Sequence, residues 1–331
     1  MSKQVKIPRF YVDIPTFLHA TGQLGWDSDN GGAELLYMNC ANPYLGTSFQ
    51  IGVDSNIKTS FPINFVGLLN HNLAGTDLLI NGNDIVITPT ASVINYDTSS
   101  VITYNGTSIF SFTEDNQVWE KFTIEQQLEG DEEATSKQLG SMVVGKYFDA
   151  PNSPDLNLTM SRRFDGIKRQ RTIGGKTLAN IYYDGPTEWT MNNADGTTYK
   201  YPPFELDTIG DDFDQRVKSG IGRKGLRSWN LTFSYISESD MWIDNEVSNT
   251  LISDGESNPE NNDPNPMLSD NSFNFVWNCT LGGTLPFIFQ PDNTNNNPDQ
   301  FSICNFRENT LSVNQVAFNT YSVSMTIDEI A

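Results

Sequence analysis

Two glycine-containing segments imitate the loops that cradle phosphate in nucleotide-binding proteins. Gly220, Gly222 and Gly225 match the pattern G-x-G-x-x-G. That pattern binds a dinucleotide when a strand precedes it and a helix follows, because the helix N-terminus meets the pyrophosphate. Here DDFDQRVKS precedes the pattern and the strand-like LRSWNLTFS follows it. The second segment, GGKT at residues 174–177, has Gln170 where a P-loop has glycine. We therefore predict no nucleotide cofactor.

Side chains that act as general bases, nucleophiles or metal ligands are few. The chain has two histidines, and it contains neither a G-x-S-x-G nucleophile elbow nor an H-E-x-x-H zinc motif. Its three cysteines, Cys40, Cys279 and Cys304, lack the C-x-x-C spacing of a zinc or redox site. We predict a protein that is not an enzyme and has no metal or other cofactor. A glycosidase that uses two carboxylates about 5 to 10 Å apart stays an alternative, since 41 acidic residues offer many pairs.

Two acidic, asparagine-rich stretches carry the oxygen ligands that Ca²⁺ prefers. They are DSDN at residues 27–30 and DNTNNNPD at residues 292–299. Neither follows the spacing of an EF-hand loop. A solvated turn is the simpler interpretation of each stretch, and calcium binding stays open.

Three side chains support a carbohydrate-binding interpretation. Trp26, His71 and Trp119 lie in or beside predicted loops, where they would stack on a sugar or hydrogen-bond to it. His71 belongs to the segment NHN directly after an apolar run. The simpler interpretation of this segment is a turn whose side chains hydrogen-bond to nearby backbone. Because exposed and core aromatic residues look alike in sequence, a host-glycan adhesin remains the second functional hypothesis.

The distribution of charge carries more information than any motif. The formal net charge of -21 repels nucleic acid and anionic membranes, so we expect neither as a partner. Residues 162–176 and 216–227 are nevertheless basic, each with a net charge of +5, which leaves the rest of the chain at -31. Their basic residues, called here the basic strip, are Arg162, Arg163, Lys168, Arg169, Arg171, Lys176, Arg216, Lys218, Arg223, Lys224 and Arg227.

A basic strip on an acidic protein complements the surface of an identical neighbour. Such a head-to-tail contact closes into a ring when the rotation between subunits allows it. We therefore predict that the basic strip forms part of a homo-oligomeric interface. A solvated basic face, and a ring that threads nucleic acid, are the alternatives.

The elements that position these residues are predicted to be strands. Residues 60–69, 77–80, 84–87, 118–128 and 140–148 carry short alternating or apolar runs bounded by Gly, Asn or acidic turns. Three later segments alternate apolar and hydroxyl residues, as half-buried antiparallel strands do: LNLTMS (156–161), WNLTFS (229–234) and YSVSMTI (321–327). Helices are expected only near residues 15–21 and 237–251.

A Pro-bounded connector, APNSP at residues 150–154, divides the chain into two predicted domains. The fold class expected is mainly β: a jelly-roll β-sandwich over residues 1–155, then an antiparallel β domain with long loops over residues 156–331. Residues 172–222 are predicted to form long hairpins or loops. The acidic stretch at residues 254–271 is expected to be a mobile loop or an excursion that orders only against a partner.

No stretch of the sequence approaches the roughly 18 apolar residues of a membrane-spanning helix. The N-terminal MSKQVKIPRFYVDIP has Pro8, Arg9 and Asp13 where a secretory signal has an apolar core. We therefore expect synthesis in a cytoplasm and no membrane partner.

Several segments resemble proteins of tailed bacteriophages. INFVGLLNHNLAGTDLLI (63–80) and GSMVVGKYF (140–148) are similar to the galactose-binding-like β-sandwich domains that recur in phage virion proteins. FDGIK (164–168), TIGGKTLANIYYDGPTEW (172–189), RSWNLTFSYISESD (227–240), LPFIFQPDNTNNNPDQFSICNF (285–306) and YSVSMTIDEI (321–330) resemble a family of tail-associated structural proteins of largely marine phages.

This resemblance covers strand and turn patterns without a catalytic signature. It implies a virion component, located in the tail or at its distal end, that works by assembly with identical subunits and other tail proteins. No functional residue is carried over from the family. Sugar binding does not follow from a galactose-binding-like fold, because fold and function separate readily.

Overall fold

The architecture is described from a computed structural model of the 331-residue chain. Its described residues are 5–22, 24, 33–38, 44–46, 48–52, 61–71, 78–80, 85–87, 94–95, 98–102, 106–112, 117–119, 121–126, 137–163, 167–181, 225–243, 271–296 and 300–330. Several predicted features lie outside these residues: Trp26, Cys40, residues 27–30, most of residues 254–271, and Arg216, Lys218, Arg223 and Lys224 of the basic strip.

The fold is mainly β, which confirms the predicted class at this level. The strands are β1 (Arg9–Asp13), β2 (Tyr44–Gly46), β3 (Ser48–Gly52), β4 (Phe61–Ile63), β5 (Phe65–His71), β6 (Leu78–Ile80), β7 (Ile85–Ile87), β8 (Ile94–Asn95), β9 (Thr98–Ile102), β10 (Gly106–Phe112), β11 (Gln117–Trp119), β12 (Lys121–Gln126), β13 (Lys137–Asp149), β14 (Thr159–Arg163), β15 (Ile167–Arg171), β16 (Thr177–Ile181), β17 (Leu226–Ser237), β18 (Phe287–Gln290), β19 (Ser302–Phe306), β20 (Ser312–Ala317) and β21 (Thr320–Glu329). Each stretch predicted as a strand overlaps one or two of them, although β14 begins at Thr159 rather than at residue 156.

Thirteen of these strands form one large antiparallel sheet. Its order is β14-β17-β21-β19-β18-β1-β13-β5-β10-β9-β8, with β2 beside β13 and β20 beside β21. A second sheet has the order β3-β12-β6-β7, and two further pairs, β4 with β11 and β15 with β16, stand as two-stranded sheets. The strands that carry the described residues of the basic strip therefore lie at one end of the large sheet and in a separate hairpin.

Helices are short and few in the described part of the chain. They are α1 (Ile14–Ala20), η1, a 3-10 turn (Ala33–Leu35), α2 (Glu238–Met241) and α3 (Phe273–Cys279). The helix predicted near residues 15–21 is confirmed, and α2 begins at the start of the second predicted helix. Helix α3 was not predicted because five of its seven residues are buried, which removes the amphipathic period. None of these helices is long and apolar enough to cross a bilayer.

Strand β1 lies inside the large sheet and is buried on both faces. It pairs with β13 on one side, Arg9 opposite Asp149, and with β18 on the other, Arg9 opposite Gln290. On one face the Phe10 ring lies 5.3 Å from that of Phe289 and 6.1 Å from that of Phe148.

On the other face of β1, the Tyr11 ring lies 5.0 Å from the Phe65 ring. The Tyr11 hydroxyl donates to Gln290 Oε1 at 2.9 Å. This face belongs to a second buried cluster that also contains Phe301 and Ile303.

Strands from both sides of residue 155 share one sheet and one core. The main cluster of buried side chains runs from Val5 to Ile327. Phe10, from the first predicted domain, packs against Phe273 and Phe287 of the second, with ring centroids 6.3 and 5.9 Å apart. The predicted boundary at residue 155 lies in the connection between β13 and β14, and the large sheet contains strands from both sides of it.

Candidate assembly surface

Strands β15 and β16 form a hairpin, residues 167–181, called here the hairpin arm. The strands pair antiparallel from Ile167 opposite Ile181 to Arg171 opposite Thr177. In the turn, the Thr172 amide donates to the Lys176 carbonyl at 2.8 Å, and the Lys176 amide donates to Thr172 Oγ1 at 3.0 Å. Gly175 has φ +80°, a conformation that favours glycine. The sequence TIGGK thus closes the arm tightly.

The hairpin arm exposes basic and apolar side chains together. Arg169, Arg171 and Lys176 are all exposed. Ile173, at the tip, is 110% exposed and Leu178 is 49% exposed. Within the described residues, β15 and β16 pair only with each other. An isolated two-stranded hairpin is marginally stable in water. A partner that covers the hairpin arm would therefore stabilise it.

Strand β14 carries two further residues of the basic strip at the end of the large sheet. Arg162 and Arg163 are exposed, as are the other three residues of the strand. Gly225 has φ +77°, and a Cβ there would lie 2.8 Å from the Arg163 carbonyl oxygen. Glycine at this position therefore allows the chain entering β17 to pass close to β14.

Arg227 is not part of this exposed surface, which corrects its assignment to the basic strip. It is 6% exposed, and its guanidinium pairs with the 3% exposed Glu329, Nε to Oε2 at 3.2 Å. The guanidinium also donates to the Phe301 carbonyl at 3.0 Å. Arg227 occupies an inward-facing position of β17, so its charge is satisfied inside the fold. Arg162, Arg163, Arg169, Arg171 and Lys176 remain as exposed strip residues, and Lys168 lies in β15.

His71 is also placed differently from its prediction. It ends β5 rather than lying in a turn, is 3% exposed, and its Nε2 lies 2.8 Å from Ser108 Oγ. Burial lowers its pKa to about 3, so the ring is neutral at pH 7. His71 therefore offers nothing to a surface sugar. Trp119 lies in β11, opposite Phe61.

Asp292, the first residue of the second calcium candidate, is already engaged with other side chains. Its Oδ2 lies 2.9 Å from Lys6 Nζ, and its Oδ1 accepts from the hydroxyl of Thr294 at 2.6 Å. It is 2% exposed, so this carboxylate serves as the anchor of a turn. Across the described residues, no group of three His, Cys, Asp or Glu side chains is placed to hold a metal ion.

Comparison of the chain with protein-family models, with curated proteins and with solved structures finds no match.

The sequence contains one signal for the hairpin arm that charge alone did not reveal. Gly174 and Gly175 lie between the segments IKRQR and TLANI, and a glycine pair in such a position favours a hairpin turn. Within the described residues, the hairpin arm pairs with no other strand and exposes both of its faces. Ile173 and Leu178 are therefore exposed together with Arg169 and Arg171. The apolar component of the candidate surface was missed because the prediction considered only charge.

Proposed function

We propose that this chain is a structural subunit of a bacteriophage virion, a component of the tail or its distal end, which acts by assembling with identical subunits and with other tail proteins. The N-terminal part is proposed to be a galactose-binding-like jelly-roll sandwich. The protein is proposed to be non-enzymatic. The virion assignment is supported by the resemblance of residues 63–80, 140–148, 164–168, 172–189, 227–240, 285–306 and 321–330 to phage proteins.

The hairpin arm is the observation that carries the assembly part of the proposal. The hairpin arm carries three exposed cations, whereas the residues of the chain outside the basic strip are strongly acidic. Charge complementarity of this kind raises the association rate and fixes the register of docking more than it raises affinity. Exposed ion pairs contribute only about 0 to 1 kcal/mol each. The apolar side chains of Ile173 and Leu178 supply the burial that affinity requires.

The assembly test uses two changes in the hairpin arm. One variant reverses its charge with Arg169→Glu, Arg171→Glu and Lys176→Glu; a second carries Ile173→Ser. Both leave the buried Arg227 unchanged. Phe318→Ser is the matched control for Ile173→Ser, since Phe318 is an apolar residue in another hairpin turn and is 89% exposed. Sedimentation velocity and electron microscopy report the assembly state, and circular dichroism reports folding.

We expect the wild-type chain and Phe318→Ser to form a closed oligomer, and the two arm variants to be folded but monomeric or slow to assemble. The proposal fails if both arm variants assemble like wild type. It also fails if wild-type protein stays monomeric at about 100 µM.

The virion part is tested separately. An antibody against the chain should label the tail in purified particles of the phage that encodes it. Labelling of the head, or none, would contradict the placement without affecting the self-assembly result.

A further inference from the structure

A cleft of about 270 Å³ opens where β19 and β20 adjoin the same edge of β21. Pairing of β19 with β21 ends at Phe306 opposite Ile327, and pairing of β20 with β21 begins at Ser312 opposite Ser324. The Arg307 amide still donates to the Thr326 carbonyl at 2.9 Å. Residues 308–311 lie outside the sheet, and the cleft occupies the resulting gap between β19 and β20 along β21.

One wall of the cleft is aromatic and firmly held. Trp277 of α3 packs on Phe306, with ring centroids 5.3 Å apart. The turn after α3 lies against the indole, since a Cβ at Gly282 would lie 3.7 Å from Trp277 Cζ2. A Cβ at Gly283, which has φ +84°, would lie 2.6 Å from Phe306 Cβ. Two glycines thus allow this turn to press against the aromatic pair.

The other wall is polar and comes from neighbouring strands. Asn230 of β17 lies directly opposite Thr326 of β21, and Ser324 lies two residues before Thr326. The Ser324 hydroxyl is oriented by Thr232, with the two oxygens 3.0 Å apart. Asn230 and Ser324 are exposed. This wall therefore offers an amide and two hydroxyl groups from a rigid sheet.

The charge around the cleft disfavours an anionic ligand. Glu308 is the carboxylate that lines it, and the lining contains no basic side chain. The nearby Arg307 binds both carboxylate oxygens of Asp328 at 2.7 Å, and it donates to Ser228 Oγ at 2.9 Å. Its guanidinium is therefore committed to neighbours that do not line the cleft.

The cleft is lined by an aromatic pair at the gap in the sheet edge and by hydroxyl, amide and carboxylate groups, and this combination matches the chemistry of a sugar. The C–H face of a pyranose packs on an aromatic ring, while its hydroxyl groups exchange hydrogen bonds with the polar wall. The volume lies just below the roughly 300 to 1,000 Å³ of typical small-molecule sites, which suits one or two sugar rings. We propose that this cleft binds a neutral saccharide. No residue of the hairpin arm lines the cleft, so the arm variants leave its lining unchanged.

The test uses saturation-transfer NMR on the full-length chain. The probes are methyl α-D-glucopyranoside, methyl β-D-galactopyranoside, N-acetylglucosamine, cellotriose and maltotriose, with choline as a cation and N-acetylneuraminic acid as an anion. The variants are Asn230→Ala and Glu308→Gln. Asn314→Ala is the matched control, since Asn314 is an exposed amide on β20 that does not line the cleft.

We expect at least one neutral sugar to bind, at least about tenfold more weakly to each cleft variant, and unchanged to Asn314→Ala. Circular dichroism confirms that each variant is folded. The proposal is overturned if no neutral sugar gives a signal at about 10 mM. Equal binding to wild type and both cleft variants also overturns it, as does binding of choline or N-acetylneuraminic acid alone.

Discussion

Arg227 and Glu329, 102 residues apart in the chain, form a buried ion pair between β17 and β21. The Arg227 amide and its Nε both donate to Glu329 Oε2, at 2.8 and 3.2 Å, while its Nη2 donates to Oε1 at 3.2 Å. The same guanidinium donates to Ser302 Oγ of β19 and lies 4.9 Å from the centroid of the Trp229 ring. One side chain therefore links three strands of the large sheet.

Arg227→Met should strongly destabilise the fold. The substitution leaves the Glu329 carboxylate buried without its cation, which typically costs about 3 to 5 kcal/mol. The double variant Arg227→Met, Glu329→Leu should recover most of this loss, because no unpaired charge remains. Urea unfolding monitored by tryptophan fluorescence measures each free energy of unfolding.

Arg307→Met is the matched control for the buried pair. Arg307 pairs with Asp328 in a more exposed position, at 51% and 34% side-chain exposure. Its loss should cost no more than about 1 kcal/mol. If the two single variants lose the same free energy of unfolding, burial does not make the Arg227 pair more important for stability than the exposed pair.

Asp13 should make stability decrease as pH rises towards neutrality. Burial raises the pKa of its carboxyl from 3.8 to about 7, although the Thr16 hydroxyl and the Val144 amide donate to it. Between these two pKa values the folded chain keeps a proton that the unfolded chain has lost. The stabilising contribution is therefore complete below about pH 4 and is lost as pH rises to about 7.

The Asp13→Asn variant isolates this effect. Its free energy of unfolding, relative to wild type, should rise by about 2 to 3 kcal/mol between pH 5 and pH 8, at about 1.4 kcal/mol per pKa unit. His71 works in the opposite direction, since its lowered pKa favours folding at higher pH. Both proteins contain His71, so its contribution cancels in the difference. A difference that does not change with pH would contradict the buried, protonated Asp13.

The alternation of residue types predicted ten of the 21 described strands but not how they pair. Segments such as WNLTFS and YSVSMTI have one wet and one dry face, and a period of two reveals that locally. Strand β1 does not alternate between buried and exposed residues, since four of its five residues are buried. Its partners lie more than 130 residues away along the chain. Pairing over such distances depends on the whole topology, which local patterns do not contain.

The same alternation of residue types places both members of the buried ion pair at core positions of their strands. Arg227 has the parity of Trp229, Leu231 and Phe233 in β17, and Glu329 has the parity of Met325 and Ile327 in β21. Two opposite charges at core positions predict a buried pair once the strands are known to be neighbours. The sequence shows that Arg227 is charged, but only the order of the strands in the sheet shows that Arg227 is buried beside Glu329.

Gly145 should tolerate no larger side chain, because β1 and β13 approach closely there. Gly145 lies opposite Asp13 of β1 and opposite Phe65 of β5. A Cβ on Gly145 would lie 2.3 Å from the Val12 carbonyl oxygen and 3.1 Å from Ile14 Cγ1. Since the closest atom is backbone within a paired strand, relief requires the strands to separate.

Gly145→Ala is therefore expected to lower the free energy of unfolding by at least about 2 kcal/mol, as overpacking of a core does. Gly174→Ala is its matched control, because a Cβ there meets no atom within 4 Å, and it should change stability by less than about 0.5 kcal/mol. Urea unfolding of both variants, with amide hydrogen exchange at Tyr11 and Val12, locates the damage. Similar stabilities for the two variants, or unchanged protection in β1, would contradict the close packing of β1 against β13.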